Sequence, residues 1–268
     1  WNQLGQDIDS EGADDYFGQS VSINGDGTIV AIGAYGNDSE YNNAGHVRIY
    51  QYDSGDDSWN KLGQDIDGDY AGDYFGNSVS INGDGTIVAI GAYYNDGTST
   101  DTSHNAGHVR IYQYDSINDI WNQLGHDIDG EVASDFSGWS VSLNSDGTIV
   151  AIGATYNDGT SAADSGGHVR IYQYNGTIWN QLGQDIDGEA SSNDSGGSVS
   201  ISSDGTIVAI GATRNDGTTT SNAGHVRIYQ YDSGNDIWNQ LGHDIDGEAV
   251  SDSSGYSVSI NGDGTILA

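Results

Sequence analysis

A short text recurs through this chain almost unchanged, and that repetition restricts its possible folds more than any other feature. WNQLG or WNKLG begins at Trp1, Trp59, Trp121, Trp179 and Trp238, at steps of 58, 62, 58 and 59 residues. TIVAIGA begins at Thr28, Thr86, Thr148 and Thr206, and GHVRIYQY at Gly45, Gly107, Gly167 and Gly224. A period of this size means one supersecondary unit per repeat, stacked on copies of itself. Insertions fall in two places only. Between TIVAIGA and GHVRIYQY lie 10, 14, 12 and 11 residues, and between GHVRIYQY and the next Trp lie 6, 6, 4 and 6. Everything else is held at one length, as expected if paired strands carry it and exposed loops absorb the variation.

Each unit reads as four strands. In the first unit these are SVSI (A, 20–23), TIVAIGA (B, 28–34), GHVRIYQY (C, 45–52) and WNKLGQDI (D, 59–66). The A–B connection, NGDG at 24–27, is a hairpin signal, because Asn, Asp and Gly tolerate positive φ. No segment has helical periodicity. Strand A places Val21 and Ile23 on one side and Ser20 and Ser22 on the other. Strand B places Val30 and Ile32 opposite Ala31 and Gly33. A bulky face against a small one lets such sheets stack indefinitely. The expected fold class is all-β, a β-propeller of four-stranded antiparallel blades with four full repeats and a partial fifth. A β-solenoid is the alternative, with coils usually much shorter than this period. Residues 1–268 are expected to be one propeller domain or an excised part of one. Residues 1–9 would be an orphan strand D, and 257–268 an orphan A–B hairpin.

The run Tyr16-Phe17-Gly18-Gln19-Ser20-Val21, then Asp26-Gly27, then Ile32-Gly33-Ala34 resembles the FG-GAP repeat, the blade of integrin α-subunit propellers and of many surface proteins. Phe75-Gly76 and Gly91-Ala92 repeat it, while Ser137, Ser195 and Ser254 replace the Phe in later units. The resemblance implies a propeller and a role in adhesion. The calcium loop of that family, D-x-D-x-D-G, is reduced here to NGDG, NSDG or SSDG, which leaves too few oxygen ligands for calcium. Asp26, Asp84, Asp146, Asp204 and Asp263 are therefore read as turn formers, with metal ligation the alternative.

The chain carries 40 acidic and 6 basic residues, for a formal charge of −34. Such a field disfavours nucleic acid and anionic membrane surfaces. No apolar run is long enough to insert into a membrane. Cys, Pro and Met are absent, so thiol chemistry is excluded. Four of the basic groups, Arg48, Arg110, Arg170 and Arg227, sit at one repeated position in strand C, which predicts a repeated internal ion pair with the DID aspartates of strand D. The D–A and B–C loops should emerge at one end and form an acidic rim. There Asp38, Asp96, Asp158 and Asp216 are candidate ligands for a hard cation such as Ca2+, against plain solvation and Asx-turn geometry. Tyr35, Tyr93, Tyr94 and Tyr156 on the same rim are candidates for sugar contact or for simple edge packing. Asn37, Asn175 and Asn193 head N-x-S/T sequons, relevant only to a secreted eukaryotic chain.

No catalytic motif stands out, and near-identical units leave no distinct place for a single active site. Repetition, charge and resemblance together predict a non-enzymatic extracellular or cell-surface protein, acting in adhesion or as a building block of a surface appendage. Its partner would be a protein or glycan ligand, or further copies of itself. The alternative is a propeller that binds or cleaves polysaccharide.

Overall fold

The computed structural model describes residues 2–38, 41–96, 104–158, 165–216 and 222–268. The first unit comprises β1 (Ser20–Ile23), β2 (Ile29–Ala34), β3 (His46–Asp53), β4 (Ser58–Lys61) and β5 (Ile66–Asp67). The second comprises β6 (Ser78–Ile81), β7 (Ile87–Ala92), β8 (His108–Asp115), β9 (Ile120–Gln123) and β10 (Ile128–Asp129). The third comprises β11 (Ser137–Leu143), β12 (Ile149–Ala154), β13 (His168–Tyr174), β14 (Trp179–Gln181) and β15 (Ile186–Asp187). The fourth comprises β16 (Ser195–Ile201), β17 (Ile207–Ala212), β18 (His225–Asp232), β19 (Ile237–Gln240) and β20 (Ile245–Asp246). Each unit is one antiparallel sheet in which the first four strands pair in succession and the fifth pairs with the third, and together they make a multi-blade β-propeller.

The outermost strand departs from the sequence expectation. Residues 59–66 do not form one strand. β4 pairs with the far half of β3, residues 62–65 loop out, and β5 rejoins β3 opposite His46 and Val47. The break follows from Gly63, which sits at a φ of 75° that a side chain would strain. Its consequence is positional, because the excursion swings Asp65 over the face of β3 that carries His46 and Arg48. At the other edge, β11 and β16 extend the innermost strand backward through a bulge between Ser137 and Ser140, and between Ser195 and Ser198.

The core lies between sheets rather than within one. Ile29, Ala31, Val47 and Ile49 of the first unit pack against Val79, Ile81, Val88 and Ile90 of the second, and the same arrangement recurs between later units. The small face of one sheet thus receives the bulky face of the next. Burying an Ile or Val in this way contributes about 1.5–3 kcal/mol. Gly33 shows how close the approach is: a Cβ there would meet the Gly76 carbonyl oxygen of the next unit at 2.0 Å. Among the described residues no sheet covers the bulky face of the first unit, and Val21 and Ile23 are 56% and 57% exposed.

Polar bonds repeat at the same junctions. The Ser22, Ser80, Ser142 and Ser200 hydroxyl oxygens accept the amides of Ile81, Leu143, Ile201 and Ile260 at 2.9–3.1 Å. The A–B turns are joined in one direction. Gly25 N–H donates to Gly83 O, Gly83 to Ser145 O, Ser145 to Ser203 O, and Ser203 to Gly262 O, at 2.8–3.0 Å. Among the described residues no helix is long and apolar enough to cross a membrane.

Candidate functional site

The repeated arginines lie on the buried side of strand C, each reaching from its own unit to the loop of the unit before. Arg48 grips Asp65 through Nε and Nη2 at 2.9 and 3.1 Å and also pairs with Glu11. Arg110 does the same with Asp127, at 2.9 Å on both nitrogens, and with Asp69 at 2.5 Å. Arg227 grips Asp244 at 3.1 and 3.3 Å and pairs with Glu189. Burial works against the charge of Arg48 and Arg110, but the carboxylates outweigh it and hold both above the ordinary arginine value.

Arg170 behaves differently. Its Nη2 donates to the Asp129 carbonyl at 2.9 Å, its Nη1 lies 3.5 Å from Glu131, and its guanidinium stands 5.6 Å over the Tyr172 ring. Its equivalent strand-D carboxylate, Asp185, keeps the bond from Gln181 at 2.6 Å, as Asp127 and Asp244 keep theirs from Gln123 and Gln240, but lacks the arginine clamp. Beside it His168 is buried, and neither ring nitrogen has a partner. Burial first, then the Arg170 charge, pushes His168 down to about 4, so its imidazole is neutral near pH 7. Three groups among the described residues bring His and acidic ligand atoms within 4.8 Å of one another: His108, Asp127 and Asp129; Glu131, His168 and Asp185; and Glu189, His225 and Asp244.

Elsewhere on the loop end the acids are internal braces. Asp38, Asp96, Asp158 and Asp216 accept backbone amides of their own B–C loops, from Asn43, from His104 and Asn105, from Ser165, and from Asn222, at 2.7–3.0 Å. None of them belongs to the three His-containing groups. In the A–B turns, Asp26, Asp84, Asp146, Asp204 and Asp263 each accept from the Thr two residues on, which lowers their pKa.

Buried aspartates of the D–A loop went unread in the sequence. Asp73 accepts from the Asn95 amide at 2.8 Å, and Asp135 accepts the Glu131 and Val132 amides at 3.0 and 2.9 Å. The signal was an Asp three residues before the Gly of each Phe-Gly or Ser-Gly pair. Asn193 stands at that position in the fourth unit and is buried, as is Asn37, so of the three sequon asparagines only Asn175 presents its side chain to solvent.

The aromatic residues of this end form a continuous stripe. Tyr16 stacks on Tyr35 with centroids 4.9 Å apart and planes 6° from parallel. The contacts continue through Tyr74, Tyr93, Tyr94, Phe136 and Tyr156 at centroid separations of 4.4–6.0 Å. A cavity of about 580 Å³ opens along it, lined by Tyr16, Tyr35, Tyr74, Tyr93 and Tyr94 with Asp14, Asp38, Asn42 and Asn43. The stripe stops at the fourth unit, where Asp194 and Arg214 form an ion pair at 3.1 Å.

No curated protein matches the sequence. Among solved structures, the periplasmic gluconolactonase PpgL of Pseudomonas aeruginosa is similar at 13% identity and a TM-score of 0.56, over 92% of this chain and 63% of that one. Kuenenia stuttgartiensis hydrazine synthase is similar at 14% identity and a TM-score of 0.54, over 92% and 66%. A proposed 6-phosphogluconolactonase of Bacteroides uniformis is similar at 11% identity and a TM-score of 0.51, over 93% and 76%. At these identities the likeness is one of fold, and this chain spans less than two thirds of PpgL.

These likenesses correct the expectation of a non-enzymatic adhesion or appendage protein. That expectation assumed that near-identical units leave no place for chemistry. Rings similar in fold are described as a proposed 6-phosphogluconolactonase and a gluconolactonase, and the third unit here breaks the repetition at Arg170, which bonds the Asp129 carbonyl rather than its strand-D carboxylate. Residues 6–50 and 66–112 match the FG-GAP repeat model, so the chain carries FG-GAP repeats, matched directly in its first two units and copied in sequence by those that follow.

Proposed function

We propose that this chain is part of a hydrolytic propeller acting on a sugar lactone or a closely related carbohydrate ester, with the tyrosine-lined cavity as the place where the sugar ring docks. The observation that carries the carbohydrate half is the cavity itself. Flat aromatic faces and side-chain amides and carboxylates line one opening of about 580 Å³, which suits a ring with apolar C–H faces and polar edges. The hydrolytic half rests on the gluconolactonases of similar fold. Asp14 and Asp38 bring carboxylates to the cavity, and a carboxylate is the type of group that takes a proton from water attacking a lactone carbonyl. The ring oxygen then leaves as an alcohol, and the product is the open hydroxy acid.

The test is proton release on mixing the chain with glucono-lactone, against the spontaneous rate. We expect acceleration that falls at least about tenfold in Tyr35→Ala and in Asp14→Asn, with Tyr35→Ala acting mainly on KM and Asp14→Asn mainly on kcat. Hydrolysis no faster than in buffer, or undiminished by both substitutions, would remove this reading.

A further inference from the structure

We propose a site for one zinc-type divalent ion at the junction of the second and third units, held by His168, Glu131 and Asp185. This inference is independent of the lactone reading and lies in a different part of the loop end. Three observations meet there. The ligand atoms of the three side chains lie within 4.8 Å of one another. His168 is only 1% exposed and leaves both ring nitrogens without a partner, which is costly for a buried polar group. The arginine that clamps the equivalent carboxylates in the other three units has turned away from Asp185 toward the Asp129 carbonyl and the Tyr172 ring.

The donor chemistry selects the ion. One neutral imidazole and two carboxylate oxygens suit zinc and its neighbours, with a fourth position left for water, whereas calcium takes six to eight oxygens. Donors around a tetrahedral zinc stand roughly 3.4 Å apart, so the three must draw together by up to about 1.4 Å. Two of them can. Glu131 is on a loop with its side chain 45% exposed, which also gives the ion its way in, and Asp185 is on the excursion between β14 and β15. The opposing charge is Arg170, 3.5 Å from one Glu131 oxygen. That carboxylate can bridge the two cations, one on each oxygen. In the second and fourth units Asp127 and Asp244 are already held by arginine through both oxygens, so those groups should not bind.

The experiment titrates the chain with zinc chloride, and separately with calcium chloride, by calorimetry and thermal unfolding. Expected are one tight zinc per chain and a rise in Tm of about 4 °C or more at saturating metal, neither reproduced by calcium. His168→Phe should abolish both effects while itself folding at least as stably as the parent, because it replaces an unpartnered imidazole with an apolar ring. Asp185→Asn gives the same reading should His168→Phe fail to fold, and should weaken zinc by about tenfold or more. His225→Phe should leave zinc binding unchanged. No tight zinc, or tight zinc that survives both His168→Phe and Asp185→Asn, or equal loss in His225→Phe, would overturn the site.

Discussion

The junction between the first and second units and the junction between the second and third are built from nearly the same words, yet they are held differently. At the first, the Gln64 side chain bonds both the amide and the carbonyl of Trp121, at 2.9 Å each. Asp119 accepts from the Gly63 amide at 3.0 Å and from the Tyr114 hydroxyl at 2.7 Å, and Trp121 Nε1 donates to Leu62 O at 2.9 Å. At the second, only the last of these remains, from Trp179 Nε1 to Leu124 O at 2.8 Å. Two sequence changes account for the loss. His126 stands where three other copies of the phrase have Gln6, Gln64 and Gln184 (the last copy has His243), and the four-residue C–D connection at 175–178 lacks the Asp that elsewhere bridges tyrosine and glycine. The looser outer edge is also where Arg170 leaves Asp185. In a repeat protein, a two-residue deletion and one substitution are enough to turn a structural joint into a candidate site.

The largest effect expected from this contrast is on the arginines. Arg110→Met leaves Asp127 and Asp69 without their cation and should cost about 2–4 kcal/mol, the lower part of the range reflecting partly exposed carboxylates. Arg170→Met should cost about half as much, since only one carboxylate, Glu131, loses a cation, and that at 3.5 Å, together with the bond to the Asp129 carbonyl. Urea unfolding of both variants measures the two losses, and equal losses would erase the distinction between the junctions.

The buried loop acids provide the next. Burial first, with the charges of Asp96 and Asp69 adding to it, raises Asp73 to about 6 against the pull of the Asn95 bond. The folded form therefore binds this proton more tightly than the unfolded chain does. Stability from this group is gained as pH falls from about 7 through 6 toward about 4, and is lost on the way back up. Asp73→Asn removes that dependence, so the gap between parent and variant should change by about 2–3 kcal/mol over this range. At the second junction burial also raises Asp135, but the Val132, Asn157 and Glu131 bonds oppose it, and Asp135→Asn should flatten the profile less. Urea midpoints measured across the pH range decide this, and identical slopes for the two variants would contradict it.

The smallest effect restores what the second junction lost. His126→Gln should restore two hydrogen bonds, one accepted from the Trp179 amide and one donated to its carbonyl, and stabilise by about 1 kcal/mol. Hydrogen exchange at the Trp179 amide should slow toward that at Trp121. An amide that exchanges as before would mean that the shortened C–D connection, rather than His126, holds the edge open.

Much of this was legible in the residues. SVSI, TIVAIGA and GHVRIYQY became strands in the expected order, because alternating bulk and hairpin turns leave few other options. The shared end of the D–A and B–C loops followed from that topology. What escaped was local. Residues 59–66 read as one strand because Trp and Ile bracket them, although Gly63 inside was a warning of a bulge. The Asn-Asp pair of each B–C loop looked like one acidic patch, yet Asn95 turns inward to Asp73 while Asp96 turns back to close its own loop. The special character of Arg170 could not be read from HVRIYQY, which is identical in all four units. It depends on residues about 40 positions earlier and a few positions later in the chain, which meet only once the sheets are stacked.

The one-way bonds between A–B turns have a consequence for how such a chain can change its length. Each turn offers its carbonyl to the turn before and its amide to the turn after, and Ser145 and Ser203 serve as well as Gly25 and Gly83 because only the main chain takes part. A unit copied or removed between two turns leaves every surviving donor facing an equivalent acceptor. The natural step for this architecture is thus a whole period, gained or lost without renegotiating any of these turn bonds, whereas a fraction of a period would strand both partners of every bond it interrupts.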